Sequence, residues 1–230
     1  MISLFAAHSS QGGKISRTID SSIAGPLQHI HEHPELDAWD LRAIREVSPA
    51  HPRILDIGAG RGGFVMAARA LGCDALGVDM EPTAPELWRS RGVWSVLGRA
   101  PELPFADASF DVVRLKEIIE HLDDPLATVR AAARLIAPGG CLIAHVPSVY
   151  SQFFPIGNFW DDYTHVRPFS RTGLERLFAD GGLAVLRIEG YVAGRSPLER
   201  AAGKLLARVL PHTYRVIARR ADPAASRGSP

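Results

Sequence analysis

ILDIGAGRGGFVMAARALGCDALGVDM, residues 54–80, decides the fold. Its first residues, ILDIG (54–58), form a short apolar run closed by glycine, the pattern of a buried strand. RGGFVMAARAL (61–71) follows with helical spacing and stops at Gly72. ALGVDM (75–80) is a second short apolar run. A strand, a glycine loop, a helix and another strand in that order predict parallel strands joined by a crossover helix.

The alternation continues downstream. A short helix is predicted over Ala84–Arg91, a strand over WSVLG (94–98) and another over FDVVRL (110–115). Pro125 opens a helix that runs to about Ala137, where Pro138-Gly139-Gly140 ends it, and CLIAHV (141–146) is the fifth strand. Ser170 reads as the N-cap of a helix over 171–180, stopped by Gly181-Gly182. LAVLRIEGYV (183–192) is a sixth strand, SPLERAAGKLLARVL (196–210) an amphipathic helix and YRVIAR (214–219) a seventh strand. The strands are apolar on both faces, which predicts a mostly parallel sheet covered by helices on both sides.

Upstream, Leu36, Trp39, Leu41, Ile44 and Val47 recur at helical spacing within Leu27–Val47, interrupted early by Pro34. Ser48-Pro49 and His51-Pro52 punctuate a boundary. The expected organisation is an N-terminal arm and helix over 1–50, a single ligand-binding domain over 51–220 and a disordered tail over 221–230.

The chain has 230 residues, 46% hydrophobic and 22% charged, enough to bury a sizeable core. With 26 basic and 25 acidic residues the formal charge is +1, which excludes a nucleic-acid partner recruited by bulk charge. Cys73 and Cys141 form no disulfide framework and predict a reducing, cytoplasmic setting. MISLFAAHSSQGGKIS has neither the cationic start nor the apolar core of a signal peptide, and no run approaches the roughly 20 apolar residues of a membrane span.

Glycines at 58, 60, 62 and 63 allow a tight turn and close approach of backbone to a ligand. The next helix start supplies unpaired N–H groups, and Asp79 follows about 20 residues on, where an acid holds ribose hydroxyls. A ribose-containing cofactor is expected. Gly58-x-Gly60-x-x-Gly63 also satisfies the dinucleotide fingerprint, so an NAD-linked oxidoreductase stands as the alternative.

The ordered series ILDIGAGRGGF, GVDM, LPFADASFDVV, IIEHLDDP and RLIAPGGCLIAHVP, over about residues 50–192, resembles the class I S-adenosylmethionine-dependent methyltransferases. It is most similar to the subgroup holding ubiquinone-type O-methyltransferases and the methyltransferases of sugar and polysaccharide pathways. The resemblance implies a Rossmann-like seven-stranded sheet with strand seven antiparallel, and S-adenosylmethionine as cofactor. It implies that Gly58 and Gly60 flank the methionine part and that Asp56 orients the loop or the amino group. It also implies that Asp79 holds the ribose diol, with Met80 on the adenine face and Leu103 bordering the adenine near Arg99 and Ala100. Where the family often has an acid, Arg99 stands; a guanidinium cannot accept from the adenine amino group, so a backbone carbonyl or Glu102 must do so. Met80 is equally open to a core reading.

Methyl transfer from a sulfonium needs an aligned nucleophile and a dry site more than covalent chemistry. A hydroxyl acceptor benefits from a base near neutral pH, for which histidine is suited. Three histidines qualify. His121 follows strand four, where helix-start packing is the rival role; His145 sits inside strand five and reads as a core histidine; His165, in WDDYTHVRPFS (160–170), is the chosen catalytic residue. Arg167, Tyr163 and Trp160 are the expected acceptor contacts, with Phe169 and Ser170 serving the fold. No metal site is expected, because Asp161, Asp162 and His165 do not form a closed ligand set. His29, His31 and His33 alternate on one face only in a strand, and a solvated or gating arm is expected there. The expected partner is a small-molecule, carbohydrate or lipid-linked acceptor. The helix over 196–210 is expected to pack on the sheet, though its leucines and basic residues also suit contact with a membrane surface. A non-catalytic protein that retains the fold and the cofactor is the remaining alternative.

Overall fold

The computed structural model describes residues 34–47, 50–92, 94–154, 157–192 and 197–220. The histidines at 29, 31 and 33, the arm before them and the tail over 221–230 lie outside the described residues. In chain order the elements are α1 (Pro34–Val47), β1 (Arg53–Ile57), α2 (Gly63–Ala70), β2 (Asp74–Asp79), α3 (Ala84–Arg91), β3 (Ser95–Leu97) and β4 (Phe110–Lys116). They continue with α4 (Pro125–Leu135), β5 (Ile136–Pro147), α5 (Arg171–Asp180), β6 (Leu183–Tyr191), α6 (Pro197–Leu206) and β7 (Thr213–Arg220).

The seven strands form one sheet in the order β3-β2-β1-β4-β5-β7-β6. The five from β3 to β5 pair in parallel, while β7 is antiparallel to both β5 and β6. The direction of winding reverses between β1 and β4, which opens a crevice beyond their carboxyl ends.

Period-two alternation sorts the strands onto two cores. Leu55, Val113, Leu142 and Val216 join one core with Val129 of α4 and Leu174 and Phe178 of α5. Ile54, Val112, Ile143 and Ile217 join the other with Ile44 of α1, Phe64 and Val65 of α2 and Trp88 of α3. The first helix was expected to stand outside the domain; Trp39, Ala43 and Ile44 instead pack it into that second core. The described part of α1 begins at Pro34, and the expected helical stretch before it lies outside the described residues.

The other departure lies at Ala137–Gly140. The helix ends at Leu135, two residues early, because Ile136 already pairs with Phe110. The pairing resumes with Val112 opposite Cys141, so the proline and glycines bulge out within β5 rather than precede it. A side chain on Gly140 would meet the Asp111 carbonyl at 2.6 Å. The predicted caps are present: the Asp124 carboxylate accepts from Ala127 N–H and the Ser170 hydroxyl from Gly173 N–H, each at 3.0 Å.

Candidate active site

The glycine loop leaves β1 and folds over the end of β2. The Gly58 and Ala59 amides donate to the Val78 carbonyl at 2.8 and 3.1 Å. Gly58 has φ +75°, and a Cβ there would lie 2.1 Å from Ile118 Cδ1, so any other residue would be strained and would displace Ile118. The buried Trp88 indole donates to the Gly60 carbonyl at 2.7 Å and fixes the far side of the turn.

Asp79 stands half-buried at the carboxyl end of β2. Its carboxylate accepts from Gly60 N–H at 2.8 Å through one oxygen and from Glu81 N–H at 2.9 Å through the other. Each oxygen keeps a lone-pair direction for another donor. Met80 beside it is 61% exposed, which removes the core reading and leaves an apolar face at the crevice. Gly98 N–H donates to the Asp79 carbonyl at 2.9 Å and brings 98–100 alongside. A carboxylate, an exposed thioether and a side-chain-free turn together fit a ribose with its base and tail.

Two expected cofactor residues, Leu103 and Asp56, are both buried. Leu103 is 6% exposed and belongs to the core, with the partly buried Phe105 packed against the same cluster. Asp56 is buried, and its carboxylate accepts from Arg114 Nη1 at 2.8 Å. The two residues are register neighbours across β1 and β4, on the α1 face. Arg114 also donates through Nε to Asp40 of α1 at 2.6 Å, and its guanidinium lies 4.0 Å from the centre of the Phe64 ring. His145 Nε2 pairs with the other Asp40 oxygen. Asp56 thus holds up the root of the glycine loop through Arg114. Burial works against the Asp40 charge, yet His145 and Arg114 hold its carboxyl below the usual carboxylate range.

The expected core role of His145 is met at Nε2, whereas Nδ1 has no hydrogen-bond partner. Asp40 and Arg114 were missed at the level of sequence. Each announces itself as a charge at an apolar position: Asp40 between Trp39 and Ala43 on the buried stripe of α1, Arg114 inside FDVVRL.

Beyond β4 the chain makes a short 3₁₀ turn at Ile119–His121. The 160–170 stretch is stitched onto that turn, for Val166 N–H donates to the Glu120 carbonyl at 2.8 Å. At its other end Val149 N–H donates to the Phe169 carbonyl at 2.7 Å, which ties the stretch to the chain leaving β5. His165 and His121 therefore meet, with ring centroids 4.7 Å apart. His165 stacks on the buried Phe159 ring at 4.4 Å and donates through Nδ1 to the Phe159 carbonyl at 2.6 Å. The Thr164 hydroxyl donates to Asp162 at 2.6 Å, so at its 2.9 Å contact with His121 it accepts from Nδ1–H. Both imidazoles are thereby set with a proton on Nδ1 and with Nε2 left to other partners. Burial lowers the His121 pKa, and the neighbouring His165 lowers it further.

Glu120 completes the group. It is fully buried, and its carboxyl faces that of Glu117. Burial and the nearby Glu117 push its carboxyl well above the ordinary range. Nothing in the sequence marked Glu120 as buried, although it stood next to His121 in IIEH.

Arg167 was an expected acceptor contact, and its guanidinium donates to the Asp123 carbonyl at 3.0 Å, bracing the loop. Asp161 caps its own turn by accepting from Asn158 N–H at 2.8 Å. Trp160 and Tyr163 are 56% and 92% exposed and form the outer shelf of this loop.

A doubly wound sheet with one antiparallel strand, a glycine turn after β1 and an acid closing β2 defines the class I S-adenosylmethionine-dependent methyltransferases. Residues 29–188 match the family model described as a methyltransferase domain, and the chain belongs to that family. It is 31% identical over 195 residues to a ubiquinone biosynthesis O-methyltransferase of Methylococcus capsulatus, a match covering 76% of this chain and 79% of that one. A second ubiquinone biosynthesis O-methyltransferase, from Xanthomonas campestris, is 37% identical over 128 residues, or 51% of this chain and 52% of its own. Among solved structures, an S-adenosylmethionine-dependent methyltransferase from Archaeoglobus fulgidus superposes with a TM-score of 0.64 at 21% identity, covering 80% of this chain and 93% of that one. These matches leave no place for the NAD-linked alternative.

Proposed function

We propose that this methyltransferase acts on oxygen, on a hydroxyl of a small-molecule acceptor, with a phenolic, carbohydrate or lipid-linked compound as the class. Bound on the glycine turn with its ribose at Asp79, S-adenosylmethionine supplies an electrophilic methyl group. The observation that carries the choice of oxygen is the His121–His165 pair, whose Nε2 atoms lie beyond β4 on the crevice side of the fold. Neutral imidazole activates a hydroxyl, directly as a base or as ligand of a cation. We assign that duty to His165. The printed names of the ubiquinone-pathway relatives support a hydroxyl acceptor.

Trp160 and Tyr163 form the stacking shelf for the acceptor, and Arg167 braces it from below. Their exposure supports a flat or ring-shaped partner. Phe159, buried at 2%, fixes His165 in place. The thiols of Cys73 and Cys141 are both unpaired, in keeping with the cytoplasm.

The acceptor is lipid-linked in the form that α6 favours. Leu205 and Val209 are 68% and 70% exposed, and Leu206 and Leu210 are exposed beside them. The sequence predicted a helix over 196–210 packed on the sheet; α6 instead ends at Leu206, sets Gly203 against the Val192 backbone and leaves Leu205, Leu206 and the turn after them exposed. With Lys204 and Arg208 exposed on the same segment, the face suits an anionic lipid surface. Among the described residues no helix is long and apolar enough to cross a membrane.

The test is product analysis. Labelled S-adenosylmethionine is incubated with panels of phenols, sugars and amines, and the label is traced. Methylation of hydroxyls, with kcat at least about 100-fold lower in His165→Ala, supports the reading. Label found on amines alone would refute it.

A further inference from the structure

The buried charges beneath the glycine turn do more than close the core. We propose that Asp40 and Arg114 are positioning residues for the cofactor. Arg114 holds both ends of the glycine turn in their binding shape, and Asp40 sets Arg114 from α1. The seating of α1 and the binding of the cofactor are then one linked equilibrium.

Three observations support this role. The first is the reach of Arg114. Its Nη1 donates at 2.8 Å to Asp56, two residues before Gly58. Its guanidinium also lies 4.0 Å from the centre of the Phe64 ring, in the first turn of α2. One side chain thus grips the strand that enters the turn and the helix that leaves it. A turn built on glycines keeps its shape through such anchors, and a ligand that meets it already shaped loses less ordering entropy on binding.

The second is the geometry of the fork. Arg114 Nε donates to one Asp40 oxygen at 2.6 Å while Nη1 serves Asp56. Both donors belong to one rigid planar group, so the place of Asp40 dictates the tilt of the guanidinium against β1. His145 of β5 pairs with the other Asp40 oxygen and fixes that carboxylate in turn.

The third is that neither strand register nor helix docking requires the network. Asp40, Asp56, Arg114 and His145 are all buried. Desolvating such groups is costly, and apolar residues of similar volume commonly serve stability as well or better. Arg53 and Asp111 already join β1 to β4 at their amino ends, at 2.9 Å in a pair open to solvent. Trp39, Ala43 and Ile44 already pack α1 into the core. What the network adds lies at the other end of β1, under the turn.

The inference rests on cofactor binding at the glycine turn. Calorimetric titration with S-adenosylhomocysteine is compared in wild type, Asp40→Ala, Arg114→Lys and Leu174→Ala, each shown to be folded by circular dichroism. Lysine keeps the charge, but one ammonium cannot span Asp40 and Asp56 as the fork does. Leu174, in the core on the opposite face of the sheet, lowers stability without touching the network. Affinity should fall about tenfold or more in Arg114→Lys and about fivefold in Asp40→Ala, and stay within about twofold in Leu174→Ala. The losses should not add in the double variant Asp40→Ala with Arg114→Lys. Saturating S-adenosylhomocysteine should slow amide hydrogen exchange over residues 41–45 in wild type but not in Arg114→Lys.

Wild-type affinity in both Asp40→Ala and Arg114→Lys would overturn the proposal. So would an equal loss in Leu174→Ala, which would trace the effect to general stability. Wild-type affinity in Asp40→Ala alone would overturn the part given to α1. If Arg114→Lys does not fold, Asp40→Ala decides the matter by itself. A wild type that binds no S-adenosylhomocysteine would overturn the cofactor site together with this inference, whereas a wild type that binds beside indifferent variants would overturn this inference only.

Discussion

Asp56 and Arg114 face each other across β1 and β4, with the guanidinium donating to the carboxylate at 2.8 Å. Arg114 reaches on to Asp40 at 2.6 Å, so a helix that precedes the domain's first strand is tied to the root of the glycine loop. Breaking a buried pair strands its partners. Arg114→Met should therefore cost about 3–5 kcal/mol in a urea denaturation, because two carboxylates lose their cation at once. A loss under about 1 kcal/mol would show that the network contributes little.

The same network sets an acid limb. The folded-state pKa of Asp40 lies below its unfolded value of about 3.9, so the carboxylate contributes stability above that value and loses it as pH falls through the folded one. The urea midpoint should drop steeply below about pH 4. Asp40→Asn should be less stable at pH 7 and show a shallower fall in acid.

Gly58→Ala combines a positive φ with a Cβ 2.1 Å from Ile118. It should lower thermal stability by about 1–3 kcal/mol and weaken S-adenosylhomocysteine binding. Gly58→Ala with Ile118→Ala removes the collision but not the strained φ, so calorimetry should show partial recovery only.

Trp160→Ala and Tyr163→Ala should leave stability within about 0.5 kcal/mol, since both side chains are exposed, while raising KM for the acceptor. Phe159→Ala should cost about 3–5 kcal/mol and lower kcat, since it empties a buried site and removes the surface on which His165 stacks.

Leu205→Glu with Val209→Glu should abolish co-sedimentation with vesicles containing anionic lipid and leave turnover of a water-soluble acceptor unchanged. Equal sedimentation of the wild type and the double variant would remove α6 from the account.

The strands and caps were legible because they depend on local rules. Asp124 and Ser170 cap the helices their sequence marks, and the alternation of Ile54 with Leu55 sorts two cores. The turn after β1 and the place of Asp79 at the end of β2 were legible because glycines mark the one and a short apolar run closes on the other. Long-range pairing was not. Nothing in ILDIG says that Asp56 meets Arg114, and nothing in WDDYTHVRPFS says that His165 lies beside His121. The long-range partners of Leu103 and Arg167 were equally invisible: the core in one case and the Asp123 carbonyl in the other. The outward leucines of α6 follow from the close seat of Gly203 on Val192, which helical periodicity alone does not reveal.

The central claim is that the glycine turn and Asp79 bind S-adenosylmethionine. Calorimetric titration with S-adenosylhomocysteine, in wild type and in Asp79→Ala, tests it most directly. The account predicts one site per chain, at least a tenfold loss of affinity in the variant, and no heat with NAD. Absence of binding by the wild type, or equal affinity in the variant, would contradict it.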